Sequence, residues 1–291
     1  IGKTSMGVRI AKYYNTEVIS ADSRQFYRDL QIGTAVPTKE EMDGIPHHFI
    51  GNLSMEDYYN VSMYEQQVLE LLPSLFRENK IVVMVGGSGL YIDAVCHGID
   101  DFPDADEETR ESLKREMKEK GLESMLMRLK GLDPEYYKVV DRHNPNRVLR
   151  ALEVCITTGK PYSKQRTNPE RNRDFSIIKV GLNTDRKTLF NRIGQRVEGM
   201  IEKGLIEEAR KLREYRYLNS LNTVGYKELF DYFDGKYLRA EAIEKIKTNT
   251  RRYAKRQLTW FKRDKEIMWF EPGDFEAVVG WIEKGVRSKS K

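Results

Sequence analysis

The chain has 291 residues, of which 39% are hydrophobic and 33% charged, and its formal net charge is +5. This length supports a sizeable core, either in one large domain or in one domain that carries an insertion. No apolar run approaches the ~20 residues of a membrane span, which argues against an integral membrane protein. The two cysteines, Cys96 and Cys155, form no CxxC pair. They predict buried, reduced thiols of a cytoplasmic protein rather than a disulfide framework or a structural zinc site.

The chain opens on Gly2-Lys3-Thr4, and residues 5–13 then follow a helical pattern. This is the closing half of a phosphate-binding loop, whose first glycine is not in the sequence. A glycine lets backbone N–H groups approach a diphosphate at a helix N-terminus, the lysine adds a positive charge, and the threonine hydroxyl reaches Mg²⁺. We therefore predict Gly2, Lys3 and Thr4 as diphosphate-binding residues and Thr4 as a Mg²⁺ ligand. A chance Gly-Lys-Thr at the start of a helix is the alternative, and the opening does not read as a secretory signal.

Short β-branched runs at 17–21 and 80–85 predict buried parallel strands, and residues 62–78 between them have helical spacing. Residues 176–182 predict a further strand. The alternation of helix and strand indicates an α/β fold with an open parallel sheet, which suits a P-loop NTPase-like core.

The middle of the chain predicts helices only. One helix ends on Gly121, a second begins at Asp133-Pro134, and a third runs from Asn144-Pro145 to Gly159. We expect an inserted all-helical subdomain over 101–174, with residues 163–174 as its return linker, and a core formed by 1–100 and 175–291. Helices are predicted to dominate the C-terminal part, with a frayed tail at 285–291.

The segment 18–38, VISADSRQFYRDLQIGTAVPT, places Asp22 directly after a predicted strand. A carboxylate at the carboxyl end of a parallel strand lies where α/β sheets bind ligands, although a helix cap is the alternative. Positive charge is concentrated over 245–265, which suggests a polyanionic partner or a solvated face. The four histidines show no metal-ligand spacing, so the pair His47-His48 is expected to make structural hydrogen bonds.

The 18–38 segment resembles the DSxQxYxxLxIGTAKPT signature of the tRNA dimethylallyltransferases, also called tRNA isopentenyltransferases. Further family-like pieces follow in order: PHH at 46–48, GGSGLY at 86–91, NPNRVLRALEV at 144–154, Arg196 within RVEGM, GYKE at 225–228 and RRYAKRQLTW at 251–260. The departures are Val36 in place of lysine and Ser88 in place of threonine. The resemblance covers nearly the whole chain and favours the bacterial form, because no C-terminal zinc-finger pattern is present.

This resemblance implies transfer of a dimethylallyl group from dimethylallyl diphosphate to N6 of the adenosine 3′-adjacent to the tRNA anticodon. It makes Asp22 the general base and adds Arg196 to the residues that bind and stabilise the leaving diphosphate, with Mg²⁺ as cofactor. Thr4 belongs to the same catalytic group. The adenosine pocket is expected to contain Asp22, Ser23, Gln25, Ser88 and Tyr91.

The same resemblance predicts tRNA as the macromolecular partner, with neither a membrane nor an obligate protein partner. We expect Arg252, Arg256 and Arg263, on one stripe of a basic helix, to contact RNA phosphate together with Gln257. Tyr253 is expected to pack on the other side of that helix. The inserted subdomain is expected to clamp the anticodon stem.

Three other functions fit part of the sequence. A P-loop kinase of a small molecule or nucleotide would share Gly2-Lys3-Thr4 and the sheet, but its arginine lid and adenine-binding element are not identifiable. An isopentenyltransferase acting on free adenine nucleotide would have less need for the insertion and the basic helix. A non-enzymatic RNA-binding protein would not need Lys3, Thr4, Asp22 and Arg196 together.

Overall fold

The structure is a computed structural model that describes residues 2–100, 102–103, 106–167 and 171–289. The chain divides into two compact units, one formed by 1–96 with 173–291 and the other by 97–172. The elements in chain order are α1 (Lys3–Tyr14), β1 (Val18–Ala21), α2 (Lys39–Met42), β2 (His47–His48), α3 (Val61–Glu78), β3 (Val83–Gly86), α4 (Gly89–His97), α5 (Glu107–Leu132), α6 (Pro134–Val139), α7 (Pro145–Thr158), α8 (Tyr162–Gln165), β4 (Val180–Leu182), α9 (Arg186–Glu202), α10 (Leu205–Lys211), α11 (Tyr226–Phe233), α12 (Arg239–Phe261), β5 (Met268–Phe270) and α13 (Phe275–Lys289). Two 3₁₀ turns, Arg213–Tyr215 and Asn219–Leu221, lie between α10 and α11.

The first unit is built on a parallel sheet with the strand order β2-β1-β3. All four residues of the central strand β1 are buried, as expected for a strand covered on both faces. The predicted strands at 17–21 and 80–85 correspond to β1 at 18–21 and β3 at 83–86, so β3 begins three residues later than predicted and ends one residue later. Both strands end at the same edge of the sheet, because Ala21 pairs with Gly86. The loops that follow these two strands therefore begin side by side.

The histidine pair forms the short strand β2, which the sequence did not predict because a two-residue strand carries no periodic signal. The expected structural hydrogen bonds are present. Nε2 of His48 lies 2.5 Å from the Glu17 carboxylate, and Nδ1 of His47 lies 2.8 Å from the Ile45 carbonyl oxygen.

The strand predicted at 176–182 was expected to join the same open sheet as the first two predicted strands, and this pairing is wrong. Strand β4 covers only 180–182 and pairs in parallel with β5 in a separate two-stranded sheet. The apolar residues Ile178 and Val180 nevertheless belong to one core with α1 and α13, which accounts for the hydrophobic run in the sequence.

Helices α1 and α3 cover the sheet by their apolar faces. Met6 and Ile10 of α1 are buried in one cluster, and Tyr64 and Val68 of α3 are buried in another. The side chain of Asn60 caps α3 by accepting a hydrogen bond of 2.9 Å from the backbone N–H of Met63. The apolar spacing of both helices, together with the cap of α3, explains why they form where the sequence predicted them.

The second unit is helical, as predicted, with a core drawn from α5, α6 and α7. Gly121 has φ 76° and ψ 174°, which is not helical, so the first helical stretch of α5 ends there, as predicted, and a second stretch follows after the kink. Asp133 and Asn144 cap α6 and α7 through their side chains, and Gly159 closes α7 with a φ of 67°. The caps inferred from Asp-Pro, Asn-Pro and glycine are thus confirmed.

Two predictions of irregular structure need correction. The polar stretch 163–174 begins inside α8, which Asp133 holds through hydrogen bonds from the backbone N–H and the hydroxyl of Ser163. The expected tail 285–291 is helical as far as Lys289, and residues 290–291 lie outside the described part of the chain. Among the described residues, no helix combines the length and hydropathy needed to cross a bilayer.

Candidate active site

Asp22 lies at the carboxyl edge of the sheet, immediately after β1. Its backbone carbonyl accepts a hydrogen bond of 2.9 Å from the N–H of Gln25, and its carboxylate accepts one of 3.3 Å from the N–H of Arg24. Asp22 thus begins a tight turn that presents its side chain at the edge where parallel sheets bind ligands.

Two cations lie within the electrostatic reach of Asp22. Burial lowers the pKa of Lys3, at the first position of α1, the Asp22 charge raises it and the Arg196 charge lowers it. Arg196 of α9 keeps much of its surface exposed. Desolvation of its guanidinium by the surrounding protein lowers its pKa, whereas the charges of Asp22 and Glu41 raise it. Two positive groups near the N-terminus of a helix are an arrangement that suits an anion, and binding of the diphosphate there stays a prediction.

Ser23 and Ser88 join the loops after β1 and β3. The Ser88 hydroxyl oxygen accepts a hydrogen bond of 2.9 Å from the Ser23 backbone N–H and donates one of 3.0 Å to the Ser23 hydroxyl. Ser88 also begins α4, because its carbonyl accepts hydrogen bonds from the N–H groups of Tyr91 and Ile92. The two predicted pocket residues are therefore in direct contact.

Gln25 lies one turn after Asp22, and its amide orientation is determined by its neighbours. Its Nε2 donates hydrogen bonds of 3.2 Å to the carbonyl of Thr34 and 2.9 Å to that of Ala35. Ala35 has a φ of 49°, a conformation that residues other than glycine rarely adopt. With both amide hydrogens directed at carbonyls, the oxygen of the side chain is the group left for a substrate.

Three different groups approach the glycine loop formed by residues 86–89, and the backbone contact at Gly86 leaves no space for a larger residue. A Cβ on Gly86 would lie 2.1 Å from the Ala21 carbonyl oxygen, and one on Gly87 would lie 2.6 Å from the Lys3 ammonium. Gln257 of α12 donates a hydrogen bond of 2.8 Å from Nε2 to the Gly87 carbonyl. The amide of Gln257, predicted to bind tRNA, therefore faces the glycine loop, and its contact with RNA stays a prediction.

The Tyr91 ring lies in an aromatic cluster beneath the two loops. Its centroid is 5.6 Å from that of Phe26 and 5.3 Å from that of Tyr64, and burial raises the pKa of its hydroxyl to about 12. Tyr91 thus remains protonated at neutral pH and supports the loops from the core side.

Tyr253, which the sequence analysis assigned to packing, lies within the electrostatic reach of Asp22 and is a further candidate site residue. Its side chain is 38% exposed, and the charge of Asp22 raises the pKa of its hydroxyl after the larger effect of burial. The neighbouring Gln257 side chain lowers the pKa of the same hydroxyl. The four-residue spacing of Tyr253 and Gln257 on α12 was the signal that both face the site.

The predicted RNA-contacting arginines are all exposed, but they do not form one continuous stripe. Arg252 and Arg256 lie on α12, with the guanidinium of Arg256 5.8 Å from the centre of the Tyr253 ring. Arg263 lies beyond the end of α12 in a turn, where it stacks 4.1 Å from the Trp260 ring and donates to the Trp260 carbonyl. The helical spacing that joined Arg263 to the stripe is therefore wrong.

The donor set suits a Mg²⁺ ion that is shared with a phosphate ligand. Thr4 lies in the first turn of α1, and Asp22 acts electrostatically on the neighbouring Lys3. Within the described ranges of the chain, no group of three or more His, Cys, Asp or Glu side chains could enclose a metal ion. Mg²⁺ commonly uses one or two protein oxygens and completes its shell with phosphate and water, so these residues fit it.

Comparison with known proteins identifies the family of the chain. The family model described as IPP transferase matches residues 25–264. The chain is 49% identical over 287 residues to tRNA dimethylallyltransferase 1 of Bacteroides fragilis, covering 99% of this chain and 95% of the relative. It is 52% identical over 286 residues to tRNA dimethylallyltransferase 2 of Parabacteroides distasonis, covering 98% and 96%.

Solved structures show the same fold. A tRNA isopentenylpyrophosphate transferase of Bacillus halodurans superposes with a TM-score of 0.70 at 36% identity, covering 100% of this chain and 96% of that one. A eukaryotic dimethylallyltransferase acting on tRNA superposes with a TM-score of 0.73 at 26% identity, covering 94% and 72%. Family model, sequence relatives and fold agree along nearly the whole length, and the chain belongs to the IPP transferase family.

Proposed function

We propose that the protein transfers the dimethylallyl group of dimethylallyl diphosphate to N6 of the adenosine 3′-adjacent to the tRNA anticodon. The observation that carries this proposal is the convergence of Asp22, Lys3 and Arg196 at the sheet edge. It joins a carboxylate able to accept a proton with two cations able to bind a diphosphate. The names of the relatives give tRNA as the acceptor and dimethylallyl as the group that they transfer.

In this mechanism the N6 lone pair attacks the first carbon of the prenyl group while the bond from that carbon to the diphosphate oxygen breaks. Lys3 and Arg196 hold the departing diphosphate, whose negative charge grows in the transition state. Asp22 accepts the proton that N6 loses, a contribution of roughly 10²–10⁴-fold. Thr4, with Asp22 nearby, would hold Mg²⁺, which when bound neutralises part of the diphosphate charge.

The acceptor is single-stranded RNA of an anticodon loop, in which a base can leave its stack and enter a pocket. Ser23 and Gln25 border that pocket and can bind the edge of the base. Arg252 and Arg256 on α12, with Arg263 in the next turn, carry positive charge toward the RNA backbone. The inserted unit 97–172 is assigned to the anticodon stem by family resemblance.

The decisive test measures label from dimethylallyl diphosphate in undermodified tRNA, with Mg²⁺, for the wild-type protein and Asp22→Asn. The variant keeps the size of the side chain but cannot accept the proton. We expect labelling to fall by about 10²–10⁴-fold while affinity for tRNA is retained. Free AMP and ATP serve as competing acceptor and phosphate-donor controls.

Labelling of AMP in preference to tRNA would contradict the RNA acceptor. Consumption of ATP without prenyl transfer would replace the proposal with a kinase.

A further inference from the structure

The loop formed by residues 31–35 is held in place by one carboxylate from a distant part of the chain. Glu208 of α10 accepts hydrogen bonds from three successive backbone N–H groups, at 3.2 Å from Gln31, 2.9 Å from Ile32 and 2.9 Å from Gly33. A carboxylate bound by several N–H groups is a charge-assisted and therefore strong arrangement. Its effect is to set the path of the loop that ends at Ala35.

Tyr226 at the start of α11 completes this support. Its hydroxyl donates a hydrogen bond of 2.6 Å to the Glu208 carboxylate, and its side chain is fully buried. The ring lies so close to Gly33 that a Cβ there would be 2.5 Å from it. Burial keeps the Tyr226 pKa far above its usual value, so the hydroxyl remains a donor.

The opposite side of the same loop holds Gln25. The carbonyls of Thr34 and Ala35 receive both hydrogen bonds from the Gln25 amide nitrogen. The loop is internally braced as well, since the Ala35 N–H donates to the Ile32 carbonyl at 3.0 Å. Among the described residues, no donor is bonded to the Gln25 side-chain oxygen. A change in the path of residues 31–33 would therefore move the two carbonyls that orient Gln25.

We propose that Glu208 is a positioning residue, which acts through the 31–35 loop to keep the side-chain oxygen of Gln25 directed toward the acceptor. This inference rests on the proposed function. An adenine N6 amine carries two hydrogens, of which Asp22 takes one. The Gln25 oxygen accepts a hydrogen bond from the other, which holds the amine in line with the prenyl carbon.

The test compares Glu208→Gln with the matched control Glu207→Gln, since Glu207 is the exposed neighbour on α10 and loses the same charge. Glu208→Gln replaces one of the two accepting oxygens by a donor. We expect kcat for prenyl transfer to tRNA to fall about tenfold. Tyr226→Phe, which removes one hydrogen bond of four, is the milder variant should Glu208→Gln unfold, and we expect a loss of about threefold.

A double-mutant cycle separates positioning from general structural support. Gln25→Ala should lower kcat by about 10- to 100-fold, and adding Glu208→Gln should then change it by less than about twofold. The dissociation constant for dimethylallyl diphosphate should stay at its wild-type value in every variant, because the loop does not bind the donor. If the losses instead multiply, or if donor binding falls in parallel, Glu208 does not act through Gln25.

Failure of the proposed function can be distinguished from failure of this inference. If the wild-type protein labels no tRNA, both the proposed reaction and the positioning role of Glu208 are contradicted. Wild-type activity with full kcat in Glu208→Gln would remove only the positioning role.

Discussion

At the level of single side chains, the site is a carboxylate balanced by two cations that the protein partly desolvates. Asp22 acts on both Lys3 and Arg196, and its charge is the main influence that opposes the loss of their protons. The two cations outnumber the carboxylate, so the cluster has excess positive charge at the expected diphosphate site. The pKa values of the cations should therefore rise when an anion binds.

Lys3 provides a test of that coupling. In the free protein burial holds the pKa of Lys3 below its ordinary value of 10.5, and a bound anion would raise it. At a pH between the free and bound values, Lys3 is partly neutral before binding and charged afterwards, so binding takes up protons. Calorimetry of pyrophosphate binding at alkaline pH, in buffers of different ionisation enthalpy, measures this uptake.

The control for this experiment is Lys3→Arg, which keeps the charge but does not titrate in the same range. Its binding should show no proton uptake from this position. Equal uptake by both proteins would assign the titration to another group.

Gly86 tests the close contact between the two parallel strands. A Cβ at this position would lie 2.1 Å from the Ala21 carbonyl oxygen, which is backbone and cannot rotate away. We expect Gly86→Ala to lower the free energy of unfolding by about 1–3 kcal/mol in urea denaturation. The control Gly280→Ala, in α13 with no neighbour within 4 Å, should be neutral or stabilising by up to about 1 kcal/mol. Equal effects of the two substitutions would contradict the strand contact.

At the level of helices and strands, α12 connects the pocket to the surface expected to bind RNA. Gln257 contacts the glycine loop, whereas Arg252 and Arg256 are exposed. Residues four apart share a face of a helix, so Arg252 and Arg256 lie on one face of α12, and Tyr253 and Gln257 lie on the adjacent face. One helix can therefore contact the glycine loop and still present arginines to a partner.

We expect Arg252→Ala and Arg256→Ala each to weaken binding of an anticodon stem-loop and to reduce the slope of log affinity against log salt by about 1. Lys284→Ala, on the exposed surface of α13, removes the same charge and should leave the slope unchanged. Fluorescence anisotropy at several salt concentrations measures both quantities. An unchanged slope in the two arginine variants would mean that α12 does not contact phosphate.

Elements with a strong local signal were predictable from the sequence. The helices α1, α3 and α7 have apolar spacing, α3 and α7 also have side-chain caps, and β1 is a continuous buried run. Strand β2 has two residues and no period, and the partner of β4 lies far along the chain. Pairing over such separations is a property of the fold and not of the local pattern.

Some residues of the candidate site were also predictable from the local sequence, and others were not. Asp22, Lys3 and Arg196 were predictable because they belong to recognisable motifs, and the structure brings them together. The role of Glu208 was not, because its partners Gln31–Gly33 lie 175–177 residues away in the sequence. A glutamate on an amphipathic helix looks like any solvated charge until the fold places backbone N–H groups around it.

The chain as a whole consists of two units with separate cores. Unit 97–172 buries its own cluster, which includes Leu113, Met125 and Leu152, within helices that carry their own caps. A core and caps supplied from within the segment are what independent folding requires.

We therefore expect a fragment of residues 97–172, expressed alone, to give helical circular dichroism and a cooperative thermal transition. Leu152→Ala in this fragment should lower its stability by about 2–5 kcal/mol, because Leu152 is fully buried. Val139→Ala, at a side chain that is 73% exposed, is the matched control and should have little effect. A fragment without helical signal would show that the insertion depends on the remainder of the chain.

The packing of Trp260 makes its intrinsic fluorescence sensitive to the structure around the glycine loop. This tryptophan of α12 lies against Gly89, where a Cβ would be 2.2 Å from its ring, and its Nε1 donates a hydrogen bond of 3.0 Å to Asp93. The other two tryptophans lie in β5 and α13. Indole emission responds to nearby charge and polarity, so we expect a protein retaining Trp260 alone to report changes in the surroundings of Gly89 and Asp93 as a change in fluorescence, in real time and without labelled substrate.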